Sequence, residues 1–114
     1  MIASAGGSLE STLAKHQIQH ITVPLYRKSP QGILRNIYTL KKLIKLYRVD
    51  LVHARSRAPC WVAKLSCPAM NIPWVSTCHG AHGLGAWGLK KIYNRAVISG
   101  DRVIATSNFI THYL

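Results

Sequence analysis

The chain has 114 residues, of which 48% are hydrophobic, and carries 15 Lys+Arg against 3 Asp+Glu, a formal charge of +12. The length suits one domain, the apolar content excludes an intrinsically disordered chain, and no apolar run approaches the roughly 20 residues needed to cross a bilayer. A field this positive draws polyanions such as nucleic acid, anionic lipid or phosphorylated substrates without dictating a fold; it also fits a chain separated from an acidic partner domain or subunit.

The opening residues, MIASAGGS, lack the basic and long apolar stretches of a signal peptide, so a cytoplasmic location is expected. Residues 1–4 read as the tail of a strand, turned by Gly6 and Gly7. A helix over 9–16 follows, capped by Gly7 or Ser8, with Glu10 in the first turn, where the helix dipole favours an acid. A strand over 19–24 stops at Pro24, and the loop 25–30 carries Arg27 and Lys28. The clearest helix spans 31–47, where Ile33, Ile37, Leu40, Ile44 and Tyr47 recur at steps of four and three. This spacing predicts that Ile37, Leu40 and Ile44 are buried and that Arg35 and Lys42 are exposed. Its cations suit either a solvated face or contact with an anionic membrane.

The run VDLVHARSR, residues 49–57, reads as a short buried strand over 51–54 that stops in His53, Arg55, Ser56 and Arg57. A helix over 59–70 has Pro59 in its first turn, and Pro68 is expected to end or kink it early. A strand over 72–78, with Pro73 at its start, runs into a glycine-rich loop, HGAHGLGAWG, at 79–88. A helix over 89–97, a strand over 102–105 and a helix capped at Ser107–Asn108 complete the chain. Strands alternating with helices through short loops predict an α/β fold: one parallel sheet with right-handed crossovers and helices on both faces.

In open α/β sheets the ligand site lies outside the carboxyl ends of the strands. Two strands would thus deliver His79 with Gly80, and Arg55, Ser56 and Arg57, to one edge. A strand-end imidazole beside a glycine can exchange a hydrogen bond or a proton with a substrate hydroxyl. The two arginines can hold an anionic group, with Ser56 as donor. A histidine satisfied by backbone and solvated arginines are the bland alternatives, and His53 reads as structural. Gly6 and Gly7 before a helix are a weak phosphate-binding signal, because the full GxGxxG spacing is absent; a simple tight turn is the favoured reading. Cys60, Cys67 and Cys78 form no metal spacing and read as small hydrophobes. With Glu10, Asp50 and Asp101 as the acids, paired carboxylates for glycoside hydrolysis and carboxylate ligands for magnesium-dependent phosphoryl transfer are missing.

The segments SAGGSLESTLAKHQIQHITVPL, RKSP, VDLVHARSRAPCWVAKLS, VSTCHG and GDRVIATSNFI, in that order, resemble the N-terminal domain of glycosyltransferase family four, the retaining GT-B enzymes. The resemblance implies a Rossmann-like half of a GT-B fold. It also implies transfer from a nucleotide-sugar, as donor substrate, to a sugar acceptor such as a lipid-linked one, in cell-envelope glycan synthesis, with no metal or other cofactor. His79 would lie in the interdomain cleft near the reacting sugar. Arg55, Ser56, Arg57 and Gly80 would line the acceptor side, and Ser107 matches the serine that opens the helix after the VIA strand. Family members have a further strand and a GGxE loop before the point where this chain starts, and a C-terminal nucleotide domain after it. His82 stands where tyrosine is common, and Pro68 interrupts a helix that is usually continuous. The expectation is an acceptor-side piece, cytoplasmic or peripheral at the inner face of the membrane, inactive alone, with its C-terminal domain on a separate chain. The competing expectations are an interaction subunit of a split transferase and a basic module for an anionic membrane or nucleic acid. Nucleic acid is the weaker partner, since no helix-turn-helix, RNP-like aromatic pair or finger spacing is present.

Overall fold

The computed structural model describes residues 1–80 and 88–113. In chain order the elements are β1 (Ile2–Ser4), α1 (Glu10–Lys15), β2 (His20–Thr22), α2 (Pro30–Tyr47), β3 (Val52–Arg55), α3 (Arg57–Ser66), β4 (Trp74–Cys78), α4 (Leu89–Arg95), β5 (Arg102–Ala105) and α5 (Asn108–Tyr113). Short 3₁₀ turns follow α3 and α4, at Pro68–Met70 and Ala96–Ile98. Each strand pairing is parallel, so the α/β class expected from the sequence is present.

The expectation of a single sheet is corrected. The strands pair in two sets, β1 with β2 and β3-β4-β5 in order. Among the described residues no backbone pairing joins the two sets. The hydrogen bonds show the two open edges. Ile2 N–H donates to Gln19 O at 2.8 Å, and Val52 N–H donates to Pro73 O at 3.1 Å. Alternate residues of a parallel strand bond to opposite sides, so the backbone groups of Ala3 and His53 point away from these partners.

Helix α2 starts one residue before its predicted position. Ser29 is the N-cap, its Oγ accepting from Gly32 N at 3.2 Å, and Pro30 takes the first helical position, where no N–H is needed. Its stripe is only partly enclosed: Ile44 is 3% exposed, whereas Ile37 and Leu40 are half-buried. The expectation for those two is corrected to a graded burial, because α3 is the main element α2 packs on. Arg35 and Lys42 are exposed, as the spacing predicts, and so are Leu34 and Tyr38.

Helix α3 begins two residues before Pro59 and stops at Ser66, and Pro68 opens the 3₁₀ turn, so its lost N–H falls where the α-helix has already ended. The helix contributes Cys60, Val62, Ala63 and, just past its end, Cys67, each at most 1% exposed. Cys60, Ala63 and Cys67 pack with Ile44, Trp74, Cys78, Val97 and Ile110 between the helix layer and β3-β4-β5. Contacts of α3 with both α2 and α4 place the three helices in one layer. At the start of β5 the chain passes so close to β4 that a Cβ on Gly100 would sit 2.9 Å from both Arg102 O and Ser76 N, which leaves glycine as the residue that fits. Asp101 then clamps β4: its Oδ2 accepts from Trp74 N at 2.8 Å, and its own N–H donates to Trp74 O at 2.9 Å.

Two outcomes follow from this core. Ile44→Ala should cost about 2–5 kcal/mol, half-buried Leu40→Ala less, and Leu34→Ala, at 66% exposure, under about 0.5 kcal/mol, all read from denaturant midpoints. Burial, with Cys78 nearby adding to it, pushes the Cys60 thiol up to about 12; burial, helped by Asp101, pushes Cys67 up to about 11, from an ordinary 9.0. The folded state therefore holds more protons than the unfolded one above pH 9.0, and this contribution to stability is full below that pH and is lost as pH rises towards the folded values. The urea midpoint should fall as pH rises from about 9 towards about 11, and fall less in a chain carrying Cys60→Ala and Cys67→Ala.

Candidate functional site at the carboxyl edge

The parallel register sets Arg55 opposite Thr77 and Cys78 opposite Ala105. The segments leaving β3, β4 and β5 therefore emerge at one edge: Arg55 and Ser56, then His79 and Gly80, then Thr106 and Ser107. Arg55, Ser56 and His79 are exposed there and Gly80 is half-buried. The turn after β4 is held by Cys78 Sγ, 3.4 Å from Gly80 O, and Thr106 N–H and Oγ1 both donate to Cys78 O, at 3.3 and 3.4 Å. Ser107 Oγ accepts from Ile110 N at 3.3 Å, capping α5. The rest of the glycine-rich loop, with His82, lies outside the described residues.

Ser56 is the unusual residue of this edge. Its backbone sits at φ 72° and ψ 158°, a region that glycine enters freely and an L-residue enters at a cost of about 1–3 kcal/mol. The conformation turns the chain abruptly from β3 into α3, where Ser56 O accepts from Cys60 N at 3.0 Å. Strain of this kind persists where the surroundings over-determine it. Nothing in the letter serine announces it, so the sequence pointed to the residue without revealing its backbone.

Arg57 points elsewhere. Its Nη1 donates to Asn94 Oδ1 at 3.1 Å, and its guanidinium lies 5.9 Å from the centroid of the Tyr93 ring. Tyr93 in turn stacks on Trp61, with centroids 6.4 Å apart and planes 17° apart, while Trp61 Nε1 donates to Tyr93 O at 3.0 Å. Lys64 Nζ closes the series 5.2 Å over Trp61. Burial pushes the Tyr93 hydroxyl pKa up, opposed by the charge of Arg57. The sequence grouped Arg57 with Arg55 and Ser56 as ligand-holding; the geometry makes it a strut between α3 and α4, the helix that follows the His79 loop. Asn94, 0% exposed, and Tyr93 were missed because single polar residues on a short helix carry no spacing signal.

His53 Nε2 lies 2.7 Å from Thr77 Oγ1, a cross-strand tie between β3 and β4. At the other set of strands, Gly6 has φ 90° and Gly7 φ 153°. Gly7 N–H donates to Glu10 Oε1 at 2.8 Å, so the acid of α1 closes the turn where a phosphate would bind. The start of α1 is shifted accordingly: Leu9 occupies the cap position without a side-chain bond, in place of the expected Gly7 or Ser8. Among the described residues no group of three or more His, Cys, Asp or Glu could hold a metal ion, and no helix is long and apolar enough to cross a membrane.

The family model for Glycosyltransferase Family 4 matches residues 2–114. The chain belongs to Glycosyltransferase Family 4. Its structure is also similar to the crystal structure of a glycosyltransferase from Rickettsia africae ESF-5, at 38% sequence identity and a TM-score of 0.78, covering 99% of this chain and 30% of that one. The chain thus spans about 30% of the length of that solved glycosyltransferase. No curated protein matches it.

The strain at Ser56 yields a test. Ser56→Gly should raise stability by about 1 kcal/mol, relief of strain outweighing the added chain entropy of glycine, whereas Ser56→Val should lower it. Thermal unfolding of the two variants checks the sign of each.

Proposed function

We propose that this family chain supplies the acceptor-side half of a sugar-transfer site, of the retaining GT-B kind, in which a nucleotide-sugar is donor and a hydroxyl-bearing acceptor lies over the carboxyl edge of β3 and β4. The observation that carries this is the delivery of Arg55–Ser56 and His79–Gly80 to one edge by the parallel register. His79 would hydrogen-bond the reacting sugar and Arg55 an anionic group of the acceptor, with Ser56 and Gly80 shaping the floor. Arg57 would hold the two segments in register from behind. A lipid-linked acceptor and peripheral contact with an anionic membrane on the cytoplasmic side fit the excess of cations on α2. Expected absence of metal places the burden of leaving-group stabilisation on cationic groups of a nucleotide-binding domain.

A site that holds the acceptor without the donor forfeits the orientation advantage of a two-domain cleft, which amounts to roughly 7–11 kcal/mol of barrier. The 114-residue chain alone should therefore transfer no sugar from any nucleotide-sugar. Grafted in place of the matched segment of the Rickettsia africae glycosyltransferase, it should support transfer. In that chimera His79→Ala should lower kcat at least about a hundredfold, and Arg55→Ala should raise the KM for acceptor. Normal turnover in both variants of an active chimera would overturn the site. Steeply salt-dependent binding of the chain to random DNA would instead favour the basic-module alternative.

A further inference from the structure

The end of β1 carries a second constellation that sugar transfer leaves unused. Ser4 Oγ lies 2.8 Å from His20 Nε2 on the paired strand β2. The opposite ring nitrogen, Nδ1, faces Glu10 Oε2 in the first turn of α1 at 3.8 Å. Three successive elements thus bring a hydroxyl, an imidazole and a carboxylate together in the order nucleophile, base and orienting acid. Glu10 is anchored by its other oxygen, which accepts from Gly7 N, and Gly6 N–H donates to Ser4 Oγ at 3.2 Å. The His20 side chain is 11% exposed and that of Glu10 49%, and all three groups line an open hollow of about 350 Å³ with Ile2, Leu9 and Leu13 as apolar walls. A hollow of this size and lining suits a small, largely apolar ligand.

We propose that Ser4 is a nucleophile, activated by His20 and oriented through Glu10, that accepts the acyl group of small apolar esters entering this hollow. With the Nδ1 proton facing Glu10, Nε2 is free to accept the Ser4 proton; this tautomer is assigned from the partners. Ser4 Oγ attacks the ester carbonyl carbon, its proton passes to His20 Nε2, and the carbonyl π pair moves to oxygen. When the adduct collapses, the bond to the alkoxy oxygen breaks and the alcohol leaves with the proton from His20. Water then attacks the acyl-serine, again giving its proton to His20, and the carboxylic acid departs with Ser4 restored. Glu10 stays ionised and stabilises the imidazolium, its 3.8 Å separation closing as charge develops. Gly6 N–H favours the attacking oxygen rather than the ester oxygen, so turnover is slow and activated esters are the measurable class.

The test uses the full 114-residue chain, diisopropyl fluorophosphate as active-site probe and p-nitrophenyl butyrate as substrate. The expected result is one adduct located on Ser4 by peptide mass spectrometry, forming far faster in the native chain than in urea. His20→Asn should slow labelling and hydrolysis about a hundredfold or more, Glu10→Gln about tenfold, and Ser4→Ala should abolish both. Ser4→Cys should retain acyl transfer from the ester, which keeps the test independent of how well the alanine variant folds. The proposal is overturned if no adduct forms on Ser4, if the native rate does not exceed the urea baseline, or if a folded His20→Asn chain reacts as fast as the wild type. Sugar transfer plays no part in these readouts, so either site can fail alone.

Discussion

Parallel pairing of β3, β4 and β5 is the constraint from which the rest of the molecule follows. In a parallel set every strand leaves by the same edge and must return over a face, so the polar residues that end each strand accumulate on one side while the helices collect over the layer. The pairing here is short, four to five residues per strand, and its precision is maintained from the far end. Asp101 bonds both ways to Trp74 while Gly100 permits the close approach. A displacement at that far end would shift the register and separate Arg55 from His79 without touching either.

The carboxyl edge is braced from behind rather than from within. Arg57, one residue beyond the strained Ser56, reaches Asn94 and Tyr93 on α4, and the aromatic pair Trp61–Tyr93 fills the space between α3 and α4. A guanidinium suits this position, since it can bond to the Asn94 carbonyl while lying near the ring. The same series carries positive charge at both ends, Arg57 and Lys64, which spreads the cations along the aromatic stack instead of concentrating them at the edge. Two segments far apart in sequence, the turn after β3 and the helix after the His79 loop, are thereby tied together.

Most of this architecture was legible in the letters, for identifiable reasons. The strand over 102–105 and the helix beginning at 89 coincide with β5 and the start of α4, because apolar runs bounded by glycine, aspartate or serine leave little choice. α3 stops at Ser66, before Pro68, which is where a missing N–H allows no further α-helix. The pairing of strands was not legible: periodicity says that a segment is a strand, and adjacency in sequence says nothing about which edge it meets, so β1 and β2 were joined to a sheet with which they do not pair. Side-chain partners were not legible either: nothing in the letters shows that Arg57 reaches Asn94 or that Glu10 reaches back to the turn at Gly7.

The open edge of β3 gives Arg55 a second task. A strand with unpaired amides and carbonyls is a template on which another chain can add, and a cation at its end is one of the means by which natural sheets discourage such growth. Val52 and Ala54 turn inward and carry no charge, whereas Arg55 is exposed at the end of that edge. The residue proposed to meet an anionic ligand from the front would also repel a second copy of the same strand from the side. Both demands would then fall on one guanidinium, and a substitution made to dissect the first would change the colloidal behaviour of the chain as well.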